Sequence, residues 1–231
     1  MLISEIFYSI QGEGELTGVP SVFIRTSGCN LRCRWCDTPY ASWKPEGDNL
    51  DCGKIIEEVK KHPTKHVVLT GGEPMIQKEI HYLCRELKDA GYHITIETAG
   101  TIAPEGIACN LASISPKHQN STPQPGDIDQ AWIDRHDQTR WNPDVIDQWI
   151  KNYAYQLKFV VSTPEDLAWV RGTMRTAFDY VPSEKVLLMP EGITKEELET
   201  RKKWVVDFCK KTGYRYCNRL HIDLFGNTRG T

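Results

Sequence analysis

Three cysteines crowd into eight residues, Cys29, Cys33 and Cys36, in the spacing Cys-x3-Cys-x2-Cys, directly after the short apolar run Val22-Phe23-Ile24-Arg25. A chain that puts three thiols on one loop at the end of a strand has to fold around whatever those thiols hold. Three thiolates can ligate three corners of a [4Fe–4S] cube and leave the fourth iron open. Zinc is the other common taker, but it completes a tetrahedron with a fourth Cys or His. The spare cysteines here, Cys52 and several distant ones, form no second Cys-x2-Cys. A disulfide framework fits less well, because eight cysteines are spread over 231 residues behind no apolar leader. The cysteines alone leave iron–sulfur and zinc both open.

With 39% hydrophobic residues, the 231-residue chain can build one core, so a single domain over 1–231 is expected. A formal net charge of −3 argues against a general nucleic-acid binder, which would carry a basic face. No apolar stretch approaches the ~20 residues of a membrane helix. These features predict a protein of the reducing cytoplasm, without nucleic-acid or membrane partners.

Strands and helices alternate along the sequence. Strands are expected at 22–25, 65–70, 93–97, 111–115, 156–161 and 185–189, and helices at 55–61, 78–90, 164–176 and 195–212, with Gly91 as a C-terminal cap. This β-then-α rhythm predicts an α/β fold with a mostly parallel sheet. Unusual residues fall just after its strands: Gly71-Gly72-Glu73-Pro74, Glu97-Thr98-Ala99-Gly100, Ser115-Pro116-Lys117 and Pro190-Glu191-Gly192. Any one of them reads as an ordinary turn. Four on one side, together with the cysteine loop, are how barrel enzymes assemble an active site.

The cysteine spacing and Gly71-Gly72-Glu73-Pro74 resemble the radical S-adenosylmethionine (SAM) superfamily. Gln11-Gly12-Glu13-Gly14, Arg25, Cys36-Asp37-Thr38, Ser115-Pro116-Lys117 and the tail from His221 to Gly230 are similar to the 7-carboxy-7-deazaguanine synthases of queuosine biosynthesis. The resemblance implies a partial or modified (β/α) barrel, a homodimer, and an electron donor such as flavodoxin or ferredoxin. It implies conversion of a pterin, 6-carboxy-5,6,7,8-tetrahydropterin, to 7-carboxy-7-deazaguanine with loss of ammonia. In that chemistry a radical derived from SAM removes the hydrogen at C6, the ring contracts with help from Mg²⁺, and SAM is regenerated.

Roles follow from the same resemblance. Cys29, Cys33 and Cys36 would hold the cluster. Trp35, Cys36, Asp37, Gly72, Glu73, Ser115, Pro116, Lys117, Gln156, Leu157, Lys158 and Phe159 would contact SAM, and Thr38 would ligate Mg²⁺. Ile10, Gln11, Gly12, Glu13, Arg25 and Thr70 would contact the substrate. Those residue types suit the work: Gln11 and Glu13 offer a donor and acceptors to a pyrimidine edge, and Arg25 offers a fork to a carboxylate. The plainer alternatives are a solvated Glu13, a structurally paired Arg25, a turn-starting Thr38 and an exposed Lys117. Cys52, Cys84, Cys109, Cys209 and Cys217 read as structural thiols.

Two segments are not absorbed. Residues 118–149 form a polar insertion with three tryptophans, where one crossover helix would suffice. The chain also continues well past Pro190, as an extension after about 192. Two other functions stay open: an activase of a glycyl-radical enzyme, and a zinc-stabilised binding module without catalysis.

Overall fold

The computed structural model describes residues 1–231. The chain opens with an antiparallel pair, β1 (Leu2–Ile10) and β2 (Pro20–Thr26). A short helix α1 (Pro39–Ser42), an edge strand β3 (Asp48–Asn49) and helix α2 (Cys52–Lys60) lead into β4 (His66–Gly71). There follow α3 (Ile80–Asp89), β5 (His93–Thr98), β6 (Leu111–Ile114), α4 (Gln130–Thr139) and α5 (Pro143–Asn152). The chain continues through β7 (Tyr155–Val161), α6 (Pro164–Thr176), β8 (Val186–Pro190), α7 (Lys195–Thr212), β9 (Arg215–Tyr216) and α8 (Leu220–Phe225). All nine strands join one open sheet in the order β3-β1-β2-β4-β5-β6-β7-β8-β9, parallel from β2 to β9. This is the partial (β/α) barrel expected, open rather than closed.

Strand alternation divides the residues between two faces. Ile24, Leu69, Ile96, Ile114, Leu157 and Leu188 turn to the helices, where they meet Ile55, Leu83, Trp149, Val170 and Val205 in one buried core. Residues of the other parity, among them Phe23, Arg25, Thr70, Glu97, Ser115 and Lys158, face a cavity instead. One face therefore stabilises the sheet and the other is left free for chemistry. The helix ends are set locally. Thr163 with Asp166, and Thr194 with Glu197, form capping boxes at α6 and α7, and Gly213 ends α7 in the left-handed region.

The structure adds elements that the sequence reading did not name. β1 was not expected; its register shifts between Ile3 and Glu5, so its apolar residues do not hold one alternating phase. Residues 118–149, the polar insertion left without an assigned fold, supply two helices, α4 and most of α5. Asn142 caps α5 by accepting from Val145 N, Pro143 occupies its first turn, and Trp149 is fully buried in the core.

The last stretch ties the β9 edge of the sheet back to β1. After β9 the chain turns back to β1: Leu220 N donates to Gly12 O at 2.9 Å, and Arg229 Nε lies 3.5 Å from Glu5 Oε2. The extension after 192 thus spans the open side of the half-barrel.

Candidate active site

A cavity of about 300 Å³ opens at the carboxyl ends of the parallel strands, where α/β enzymes place their ligands. Cys29, Cys33 and Cys36 all line it, on the loop that leaves β2. All three are free thiols. Burial, then the charge of Glu73, pushes the Cys29 thiol up to about 12, and burial pushes Cys33 up as well. Buried thiols of this kind become thiolates when a cationic centre takes the proton's place. Three thiols on one loop, all lining one cavity, can each take one iron of a four-iron cube and leave the fourth open. The donor set fits a cluster.

The loop after β4 shows why glycine is needed beside the cysteines. A Cβ on Gly72 would lie 1.9 Å from Gly28 O and 2.7 Å from Ala41 O, so the two loops touch backbone to backbone. Glu73 N donates to Gly28 O at 2.9 Å across this contact. Gly72→Ala is expected to force the loops apart and to destabilise the protein by about 1–3 kcal/mol. A shift of the urea midpoint at unchanged slope would register it.

Glu73 itself does not reach the cavity. Its carboxylate accepts from Thr98 Oγ1 at 2.9 Å, Ala99 N at 2.8 Å and Met75 N at 3.2 Å, and it is 1% exposed. It clasps the ends of β4 and β5. The side chains of Leu157 and Phe159 also stay away, because the strand pleat sends them into the core while Lys158 turns inward. Gln156 is engaged in holding the loop after β1: it donates to Ser113 Oγ at 2.8 Å and accepts from Glu15 N at 2.8 Å. Pro116 is buried behind the lining.

The remaining expected residues do converge. Ile10, Gln11, Gly12, Glu13, Arg25, Trp35, Asp37, Thr38, Thr70, Gly72, Ser115 and Lys117 line the same cavity as the cysteines. Gly14 allows the turn that brings Glu13 in; its φ is +78°, and a Cβ there would meet Gln156 at 2.2 Å. Gln11 accepts from Glu13 N at 3.2 Å through Oε1, which leaves its amide nitrogen free to donate. Lys117, far from being an exposed loop lysine, bonds Ser115 O and Oγ, each at 2.6 Å, and burial lowers its ammonium. Thr38 stands at the N-cap of α1 without a capping bond, and its hydroxyl lies 3.8 Å from Cys36 Sγ.

Across the cavity runs a chain of alternating charge: Glu97, Lys158, Glu13, Arg219, Asp37. Lys158 Nζ lies 2.8 Å from Glu97 Oε2 and 2.6 Å from Glu13 Oε2. Arg219 Nε lies 3.0 Å from Glu13 Oε1, and its Nη2 pairs with Asp37. Burial would raise Glu13, but the charges of Lys158, Arg219 and His221 outweigh it and hold the carboxyl well below the usual range. Glu13 is thus a fixed, ionised acceptor, not a solvated turn residue. Arg25 gives its Nε to Glu5 at 2.6 Å, so it is structurally paired at one nitrogen while the end of its fork points at the cavity.

The sequence reading missed Arg219, and with it Tyr40 and Arg229, which also line the cavity. Arg219 sits just before the tail His221–Gly230 that carried part of the resemblance, but nothing local marks it. Its partners lie up to 206 positions away.

Residues 23–120, from β2 through the cysteine loop to the loop after β6, match the Radical SAM superfamily. The class is therefore that of enzymes pairing an iron–sulfur cluster with SAM. A 7-carboxy-7-deazaguanine synthase of Rhodopirellula baltica is 48% identical over 232 residues, which cover 100% of this chain and 89% of the relative. One of Halobacterium salinarum is 43% identical, covering 99% and 92%. The chain belongs to the 7-carboxy-7-deazaguanine synthase family. The fold is also that of the QueE crystal structure from Escherichia coli, with a TM-score of 0.65 at 23% identity, over 95% of this chain and 94% of that one.

Proposed function

We propose that this chain converts 6-carboxy-5,6,7,8-tetrahydropterin to 7-carboxy-7-deazaguanine with loss of ammonia. The observation that carries the reading is 48% identity over the whole chain to a synthase of that name. Cys29, Cys33 and Cys36 would hold the cluster, which together with SAM supplies the one-electron, hydrogen-abstracting chemistry that side chains lack. Trp35, Asp37, Gly72, Ser115 and Lys117 are the SAM contacts the cavity supports. Glu13 presents an ionised acceptor and Gln11 an amide donor to the pyrimidine edge of the pterin. Phe7 and Phe23, stacked at 4.9 Å, put an apolar wall beside them. The free end of Arg25 faces the substrate carboxylate, and Thr38 gives Mg²⁺ a hard oxygen ligand.

A small-molecule substrate and a reductant follow from the class. A flavodoxin or ferredoxin donor, a homodimer and a cytoplasmic location are part of the proposal. No helix is long and apolar enough to cross a membrane.

The test is anaerobic. The reconstituted protein receives SAM, reductant, Mg²⁺ and the pterin, and the product is sought by mass spectrometry. The expected result is product at many turnovers per SAM. SAM cleavage with the pterin untouched would sink the substrate assignment.

A further inference from the structure

We propose that His136, on α4, is a positioning residue for the cysteine loop, and that residues 118–140 act as the brace of that loop; the inference rests on the reading that Cys29, Cys33 and Cys36 hold the cluster. The imidazole is fully buried. Arg32 N, inside the loop between Cys29 and Cys33, donates to its Nδ1 at 3.0 Å. A donor facing Nδ1 makes that nitrogen the acceptor, so the ring proton sits on Nε2. There it meets Ser121 Oγ at 3.0 Å, and Ser121 Oγ in turn donates to His118 O at 2.6 Å. The hydrogen bonds thus select one neutral tautomer.

Further contacts join the same two segments. Arg34 N donates to Ser121 O at 2.9 Å, and Trp35 Nε1 donates to Asn120 O at 3.1 Å. The Arg32 guanidinium lies 3.9 Å from the ring centre of Trp132, and its Nη1 donates back to Cys29 O at 2.8 Å. Two amides lying between the ligand cysteines, those of Arg32 and Arg34, are therefore held from outside the loop. Partners behind a metal ligand fix its orientation and tune the metal, and cluster potentials follow hydrogen bonding and solvent exposure. The polar insertion thereby holds the three thiols in place and shields them.

Three variants separate this role from simple packing. His136→Asn keeps an acceptor near the position of Nδ1. His136→Gln keeps a donor near Nε2 but gives up the acceptor for Arg32, and His136→Leu gives up both. If His136 only filled space, the larger Gln would serve better than Asn. The brace predicts the reverse order.

The first readout is amide hydrogen exchange of the cluster-free protein, with β5 amides as the control for global unfolding. Arg32 is expected to exchange roughly tenfold faster in the Gln and Leu variants and near the wild-type rate in Asn. The second is the reconstituted protein: bleaching by chelator several-fold faster, and a shifted midpoint potential, in Gln and Leu but not in Asn. Unchanged exchange and bleaching in all three variants would overturn the proposal, and so would an Asn variant as impaired as Leu. Wild-type protein that takes up no cluster would sink the cluster reading instead, and the exchange experiment alone would still decide the brace.

Discussion

An Arg219→Met enzyme is expected to lose about 10²-fold in kcat/KM and about 3 kcal/mol of stability. Arg219 is 6% exposed and uses all three guanidinium nitrogens: Nε on Glu13, Nη2 on Asp37, and Nη1 on Gly192 O at 2.6 Å. It joins the loop after β1, the cysteine loop and the carboxyl end of β8 through one side chain. Removing it leaves Glu13 with Lys158 alone and leaves Gly192 O unpaired in the interior, which costs more than the pairs themselves contribute. The Asp37 side chain is 37% exposed, so water recovers part of that arm, and the smaller end of the range applies. The kinetic loss follows from geometry: Glu13 and Asp37 line the cavity and, in the proposed function, meet substrate and SAM, and a shift of about 1 Å in either is enough for such a drop. Arg219→Lys keeps the charge without the fork and should fall between. Urea unfolding and single-turnover rates check both numbers. A methionine variant within twofold of wild type in rate would show that Arg219 only fills the wall.

The sequence disclosed much of what was encoded locally. The helices 164–176 and 195–212 end where the structure ends them, because Thr163 and Thr194 cap them and Gly213 stops the second. Strands 93–97 and 156–161 differ by one residue, since their period-two pattern is carried by their own side chains. β1 escaped notice because its register shift breaks that pattern. The α5 signal was present in Asn142-Pro143 and the apolar positions Val145, Ile146, Trp149 and Ile150, but the polar surroundings concealed it. The cavity residues were legible where a motif carried them, as in Gln11-Gly12-Glu13 and the three cysteines. Which side chain of a motif points inward was not: Glu73 proved a clasp and Lys158 an inner cation. Arg219 was out of reach for a related reason. A lone arginine has no period, and its role comes from partners brought beside it only by the return of the chain from β9 to β1.

Lys158→Met is expected to be the costliest single change in the cavity, destabilising by about 3–5 kcal/mol. Lys158 is 4% exposed and is shared by Glu13 and Glu97, so its loss leaves two carboxylates facing an apolar side chain. The pH dependence gives the effect a signature. In the wild type the Glu13 carboxyl is held below its unfolded value of 4.5. Its contribution is therefore complete above that value and is lost as pH falls through the folded one. Lys158, raised above 10.5, contributes fully below that value and fades only as pH rises through its folded one. Wild-type stability should thus climb as pH rises toward 4.5 and hold from there to neutrality and beyond. In the variant, burial still raises Glu13, and Arg219 and His221 alone oppose it, so its carboxyl moves back up and the climb shrinks. Adding Glu97→Gln removes one of the stranded charges and should return part of the lost stability, since residues sharing a partner are not additive. Urea titrations at several pH values from about 2 to 8 test both statements. A variant with the wild-type slope, or a double variant no more stable than the single, would mean that Lys158 does not set the charge state of Glu13.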